Sequence, residues 1–184
     1  LERMGVSAVI IEDKIGLKKN SLFADQKGAK QDTIKNFCKK IKKARNTKIS
    51  DDFLIIARIE SFILGKNLSD AMKRAEMYSK SGADAILIHS KEKTPKQIIS
   101  FAKKFTKSKF YKPIVAVPSS YSKTYEKTLS KYGIKIIIYA NHMMRASYPA
   151  MVNLANSILK NKRSYDFEKK IIPIKEIINL IKND

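Results

Sequence analysis

Reactive side chains gather in a few short stretches, each directly after an apolar run: Glu12-Asp13-Lys14, Arg58-Ile59-Glu60, His89-Ser90, Pro118-Ser119-Ser120 and Asn141-His142. Arg58 and Glu60 stand two apart, so in extended chain both side chains project to one face. Carboxylates accompanied by an Arg, a Lys and a His suit a reaction on a small polyanion. Mg2+ then neutralises oxygen charge on one side while cationic donors hold phosphate or carboxylate on the other. Taken singly, each of these residues is as well explained by an internal ion pair or a satisfied core histidine; their recurrence after successive apolar runs favours a site. No Ser-His-Asp order, two-thiol zinc motif, P-loop or Gly-rich dinucleotide fingerprint is present. The residues alone point to a metal-assisted enzyme acting on a phosphorylated or carboxylated metabolite.

Such groups need a frame, and the apolar runs predict one. Five strands are expected, Val6–Ile11, Phe53–Ala57, Ala85–Ile88, Ile114–Val117 and Ile134–Tyr139, each nearly continuous in apolar residues as buried parallel strands are. Helical periods separate them. Asp32 or Thr33 caps a helix with Ile34, Phe37, Cys38 and Ile41 on one face, and Ser69 opens the next, with Ala71, Met72, Ala75 and Tyr78 inward and an end near Gly82. Thr94-Pro95 opens a third helix bearing Ile98, Phe101, Ala102 and Phe105, while Ser122 caps a fourth with Tyr125 and Leu129 inward and Gly133 at its end. Asn141–Lys160 reads as a long helix, and Pro173 precedes an amphipathic Ile174–Ile181 helix that has no strand to cover. Strand and helix in alternation give the α/β class with a parallel sheet, and catalytic groups at the C-terminal ends of strands are the arrangement of a βα barrel.

Composition narrows the function classes. A hydrophobic content of 43% spread over 184 residues speaks against disorder and for one globular unit. No apolar run reaches the roughly 18 residues of a membrane span and no secretory leader pattern opens the sequence, so a cytoplasmic protein without a membrane partner is expected. The single cysteine, Cys38, excludes an internal disulfide and a multi-thiolate metal site and reads as a packing residue. The net charge of +21 suggests nucleic acid, but only six of the 38 basic residues are Arg, the residue favoured for base readout and phosphate forks. The lysines scatter over the polar faces of every helix, which is a solvated surface, and no nucleic-acid partner is expected.

Glu12-Asp13-Lys14, five further residues and then Asn20-Ser21 resembles the signature of the phosphoenolpyruvate phosphomutase branch of the isocitrate lyase superfamily. The likeness continues through Ala57-Arg58-Ile59-Glu60-Ser61-Phe62, Gly82-Ala83-Asp84-Ala85-Ile86-Leu87-Ile88-His89-Ser90, Val117-Pro118, Tyr139-Ala140-Asn141-His142 and Arg145-Ala146-Ser147, and so covers almost the whole chain. The resemblance implies a (β/α)8 TIM-type barrel of which residues 1–184 supply about five βα units, with 164–184 as a C-terminal helical extension. The first three strands of the family barrel, which carry its direct Mg2+ ligands, are absent from this sequence, and the 184 residues alone are expected to be inactive.

The same resemblance implies interconversion of phosphoenolpyruvate and phosphonopyruvate with Mg2+ as cofactor. Glu12 would hold the Mg2+ hydration shell from the second sphere, and Lys18, Asn20 and Ser21 would lie on a gating loop. Arg58, His89, Asn20 and Ser21 would grip the phosphoryl group, with Leu22 beside them in the substrate-binding set. A homodimer or homotetramer is implied, its last helix packed on a neighbouring barrel. Lys18-Lys19-Asn20-Ser21-Leu22 replaces the Lys-Lys-Cys-Gly-His of the carbon–carbon lyases and speaks against that reaction. Phosphonopyruvate hydrolase, which shares the Glu-Asp-Lys start, typically has Thr where this chain has Asn20, so Asn20 favours the mutase and leaves the hydrolase as the alternative. A basic fragment binding nucleic acid or another acidic partner is a distant alternative that rests on charge alone.

Overall fold

Backbone ladders bring the five apolar runs together as one parallel sheet. The computed structural model describes residues 1–16, 20–22 and 25–180. Strands β1 (Ala8–Glu12), β4 (Leu54–Ile59), β5 (Ala85–Ile88), β6 (Ile114–Ala116) and β7 (Ile134–Ile137) pair in the order β1-β4-β5-β6-β7, every pair parallel. A separate antiparallel ribbon joins β2 (Lys14–Ile15) to β3 (Lys30–Gln31). The central strands β5 and β6 are buried at every position, which is why their sequences show no polar alternation.

Helices α1 (Ile34–Thr47), α2 (Leu68–Lys80), α3 (Lys96–Phe105) and α4 (Glu126–Lys131) connect the strands. Side chains alternate across a strand, so each strand feeds two cores. Ile55, Ala57, Ile59, Ile86, Ile88, Ile114 and Ala116 meet Phe37, Ile41, Ala75, Tyr78, Phe101 and Phe105 of the helices, whereas Ile56, Ala85, Leu87, Val115 and Val117 form a smaller cluster on the opposite face. Cys38 is buried in the larger core, its thiol 3.5 Å from the Met77 carbonyl, as a packing residue should be.

Several boundaries differ from the sequence reading, each for a local reason. β1 runs through Glu12 and β4 through Arg58 and Ile59, because Glu12 pairs in register with Arg58 and a ladder needs backbone groups rather than apolar side chains. Val6 precedes β1, and the sheet ends earlier than expected at Ala116 and Ile137. Thr33 caps α1 by accepting from Asn36 N at 3.1 Å. Asn67, not Ser69, caps α2, accepting from Asp70 N at 3.0 Å. Pro95 rather than Thr94 occupies the N-cap position of α3 and, having no side-chain acceptor, leaves that end uncapped. Ser122 does not open α4: residues 119–125 turn instead, which sends Tyr121 into the core and leaves Tyr125 81% exposed.

At the N-terminal edge of the sheet, Asp84 accepts from Ile55 N and from Arg45 Nη1, each at 2.9 Å, and lies 3.7 Å from the buried Lys48 ammonium. This polar cluster fixes where β4 and β5 begin. The polar residues singled out in the sequence lie at the other edge.

Residues Asn141–Asp184 form a second compact unit, whereas Leu1–Ala140 form the first. It contains α5 (His142–Asn161), a 3-10 helix (Tyr165–Lys170) and α6 (Ile174–Leu180), and none of its described residues is buried. Both helices appear where periodicity placed them; Ile181 lies outside the described residues. Asn141 and His142 stand at the start of α5, not at the end of a strand, because β7 stops at Ile137. No described helix is long and apolar enough to cross a membrane.

Gly133 ends the α4 turn at φ +90°, and a Cβ there would come within 2.5 Å of Thr106 Cγ2. Gly133→Ala should therefore destabilise the fold by on the order of 2–3 kcal/mol in denaturant unfolding, through left-handed strain plus overlap. Adding Thr106→Ser, which removes the overlapping methyl, should recover part of that loss.

Candidate active site

Asp13 directly follows β1 and is fully buried. Its Oδ1 accepts from Glu60 N at 2.9 Å, and its Oδ2 accepts from Tyr78 OH at 2.7 Å, Gln31 Nε2 at 2.8 Å and Arg74 Nη1 at 3.1 Å. Its own backbone N–H donates to Arg58 O, and its carbonyl accepts from Asp32 N. Burial pushes this carboxyl above its ordinary range, while Glu60 N, Tyr78, Arg74 and Gln31 pull it back. The result is a pin that joins the ends of β1 and β4, the ribbon and α2.

The pin positions a second carboxylate. Glu60 follows β4, is fully buried, and accepts from Arg58 Nε at 2.7 Å through Oε1 and from Ser21 Oγ at 2.6 Å through Oε2. Ser21 Oγ also accepts from Lys14 Nζ at 3.0 Å and from Arg58 Nη2 at 2.9 Å, so this one hydroxyl uses its proton and both lone pairs. Lys14 Nζ lies 3.4 Å from Glu60 Oε2, both side chains essentially unexposed. Burial alone would raise the Glu60 carboxyl; Arg58, Ser21 and His89 outweigh it and hold the group below its usual value. Glu12 adds a carboxylate oxygen 3.8 Å from Arg58 Nε, and 23% of the Arg58 side chain remains exposed.

His89 follows β5, is 5% exposed, and its Nδ1 is buried without a hydrogen-bond partner among the described residues. Burial, Arg58 and Lys14 lower its pKa to about 4 against the opposing charge of Glu60, so the imidazole is neutral at physiological pH. Asn20 is exposed, its Oδ1 accepting from Leu22 N at 2.9 Å and its carbonyl from Gln26 Nε2 at 3.0 Å. That local turn presents Ser21 to Glu60, while Leu22 is 39% exposed. Ser90 Oγ donates to Gln97 Oε1 at 2.6 Å, and Ser120 Oγ donates to Ser90 O at 2.9 Å, so these serines tie strand ends together.

Of the residues singled out in the sequence, Ser21, Arg58, His89 and Glu12 thus fall around one mouth at the C-terminal edge of the sheet. Lys18 lies outside the described residues. Glu60 and Lys14 were visible as polar residues after apolar runs, but nothing in their spacing showed that Ser21, distant from Glu60 in sequence, would close the group. Asp13, Gln31 and the α2 pair Arg74 and Tyr78 come from three separate stretches and carried no signal of a common network.

Among the described residues no three His, Cys, Asp or Glu side chains gather as a metal-holding group. Glu12 contributes one carboxylate already beside Arg58, so the described residues do not by themselves fit a directly bound divalent ion. Partly exposed Arg58 and the neutral His89 instead stand at the ends of parallel strands, where such sheets bind ligands, with Lys14, Ser21, Glu60 and Glu12 packed around them.

The chain is similar to known proteins over nearly its whole length. The phosphoenolpyruvate phosphomutase family model matches residues 1–159. Phosphoenolpyruvate phosphomutase of Tetrahymena pyriformis is 39% identical over 180 residues, 98% of this chain and 59% of that protein. The crystal structure of phosphoenolpyruvate phosphomutase from Streptomyces platensis subsp. rosaceus superposes with a TM-score of 0.90 at 35% identity, covering 97% of this chain and 61% of that one. A phosphonopyruvate hydrolase solved in complex with oxalate and Mg2+ gives a TM-score of 0.84 at 33% identity, covering 97% and 60%. The chain spans about three-fifths of the length of these relatives. With the match running from the first strand into the long helix, the chain belongs to the phosphoenolpyruvate phosphomutase family.

Proposed function

We propose that this chain forms the phosphoryl-gripping side of a phosphoenolpyruvate phosphomutase, an isomerase that interconverts phosphoenolpyruvate and phosphonopyruvate. The observation that carries the reading is the convergence of Arg58, Ser21 and Lys14 beside neutral His89, in a chain that matches this family over residues 1–159. In the reaction the bond from phosphorus to the enolate oxygen breaks and a bond from phosphorus to C3 of the same pyruvate unit forms. The phosphoryl group is loosely held between the two, and donors that stay fixed while it is detached are what the step requires.

Arg58 faces the mouth with its side chain partly exposed and supplies positive charge to the phosphoryl oxygens. His89, neutral, donates an N–H without adding charge. Ser21 and Asn20 present polar groups from one turn, with Leu22 flanking them and Lys18 assigned to the same loop by the family resemblance.

Mg2+ belongs to the same proposal, supported by the magnesium–oxalate complex of the related hydrolase. Glu12 would act on that ion through water. The reading extends to a closed (β/α)8 barrel, supported by β1, which pairs among the described residues only with β4 and leaves Ile10 41% exposed. In this reading residues 164–184 are a C-terminal extension of a cytoplasmic homodimer or homotetramer, packed on a neighbour, supported by the exposed Ile174, Ile178 and Leu180 of α6.

Phosphonopyruvate hydrolase is the second reading, favoured by 33% identity to a solved hydrolase and opposed by Asn20. Phosphorus NMR of phosphonopyruvate incubated with Mg2+ and the full-length native protein separates them. Appearance of phosphoenolpyruvate is expected; free phosphate as the initial product would establish the hydrolase. In the same assay Arg58→Ala should lower kcat/KM by on the order of a hundredfold, as loss of a donor aimed at developing charge does; unchanged turnover would remove Arg58 from the site.

The neutral state of His89 has its own signature. Its folded pKa of about 4 lies below the ordinary 6.5, so the unfolded chain binds the proton first. The contribution is complete above pH 6.5 and is lost as pH falls from there toward 4, amounting to on the order of 3 kcal/mol. Imidazole NMR resonances of His89 should accordingly show no protonation at pH 6, and a midpoint near 6.5 would refute the assignment.

A further inference from the structure

Lys14 and Glu60 touch the phosphoryl-gripping residues without facing solvent themselves. Glu60 spends one oxygen on Arg58 Nε and the other on Ser21, fixing the guanidinium in its plane and the hydroxyl in its rotamer. Lys14 meets the same Ser21 oxygen and the same Glu60 carboxylate. Charge explains why a buried ammonium is needed there. Arg58 is flanked by two carboxylates, Glu60 at 2.7 Å and Glu12 at 3.8 Å, while His89 is neutral. Among these four side chains Arg58 and Lys14 supply two positive charges and Glu12 and Glu60 two negative ones, so removing Lys14 takes one positive charge from beside Arg58 and Ser21.

We propose that Lys14 and Glu60 are a positioning pair. Glu60 orients Arg58 and Ser21 toward the phosphoryl group, and Lys14 cancels the charge by which Glu60 would otherwise repel that group and monopolise Arg58. The proposal rests on the reading of Arg58 and Ser21 as phosphoryl grips, and it assigns neither Lys14 nor Glu60 a contact with substrate. A buried pair of this kind does most when both members are present, because removing one partner leaves the other charge uncompensated.

The pair predicts effects of opposite sign, which a merely structural role does not. The test is calorimetric titration of inorganic phosphate into the full-length protein and three variants, beside phosphonopyruvate turnover. Lys14→Met should weaken phosphate binding by about tenfold, the scale of one unit charge acting across several ångströms of partly desolvated protein. Glu60→Gln should bind phosphate more tightly than wild type yet turn over phosphonopyruvate more slowly, since it gains net positive charge but loses the acceptor that orients Arg58. The double variant restores the wild-type charge sum and should return to within about threefold of wild-type phosphate affinity, the non-additivity expected of residues in direct contact.

Weaker phosphate binding in Glu60→Gln, or unchanged binding in Lys14→Met, would overturn the proposal. So would additive losses in the double variant, which are the mark of damage to folding. The predicted binding pattern in a wild-type protein that leaves phosphonopyruvate untouched would uphold the positioning pair and sink the proposed reaction. Wild-type protein that binds no phosphate would overturn both.

Discussion

The buried carboxylate of Asp13 is the constraint on which the site depends. A charge removed from water is tolerated only when donors replace the lost hydration, and four side-chain or backbone groups from β3, α2 and the end of β4 do so here. Each donor must be in place for the others to be useful, so the network rejects alternative arrangements of the elements that supply it. Arg74 shows this most clearly. It bonds Asp13, Tyr78 OH and the Asp32 carbonyl through Nη1 and Asp70 through Nε, linking α2 to the start of α1 while remaining almost wholly buried.

From that pin the geometry passes outward in two steps. Asp13 fixes the backbone of Glu60, and Glu60 in turn fixes Arg58 and Ser21 at the mouth. The more buried layer is saturated with hydrogen bonds, while the outer one keeps partly exposed Arg58 and the Nδ1 of His89, which has no partner among the described residues. Rigid support beneath incompletely satisfied donors is the arrangement that electrostatic catalysis requires, because the donors need not reorganise as charge develops.

Other described elements of the first unit hold the sheet that carries this mouth. At the opposite sheet edge Asp84 ties the starts of β4 and β5 to α1, so strand register is held from both ends. The excess of lysine belongs to solvated helix faces: α1 alone carries Lys35, Lys39, Lys40, Lys42 and Lys43 outside its buried stripe of Phe37, Cys38 and Ile41. Among the described residues the cations at the mouth are Arg58 and Lys14, and burial rather than residue type distinguishes them from the surface lysines.

By itself the sequence determined the parallel α/β class, the five strands and the helix faces, because burial on both sides of a sheet writes unbroken apolar runs and burial on one side of a helix writes a 3.6-residue stripe. It also determined that Arg58, Glu60, His89 and Glu12 stand near the ends of strands, since that is a matter of order along the chain. What only the tertiary structure decided was which of them touch. Ser21 meets Glu60, and Asp13 meets Gln31, Arg74 and Tyr78, across separations that have no period, so no local pattern encodes them. The boundary errors have the same origin. Hydrogen-bonded ladders carried β1 and β4 past their apolar residues, and the turn at 119–125 buried Tyr121 in place of Tyr125, because backbone pairing and packing are settled between segments rather than within them.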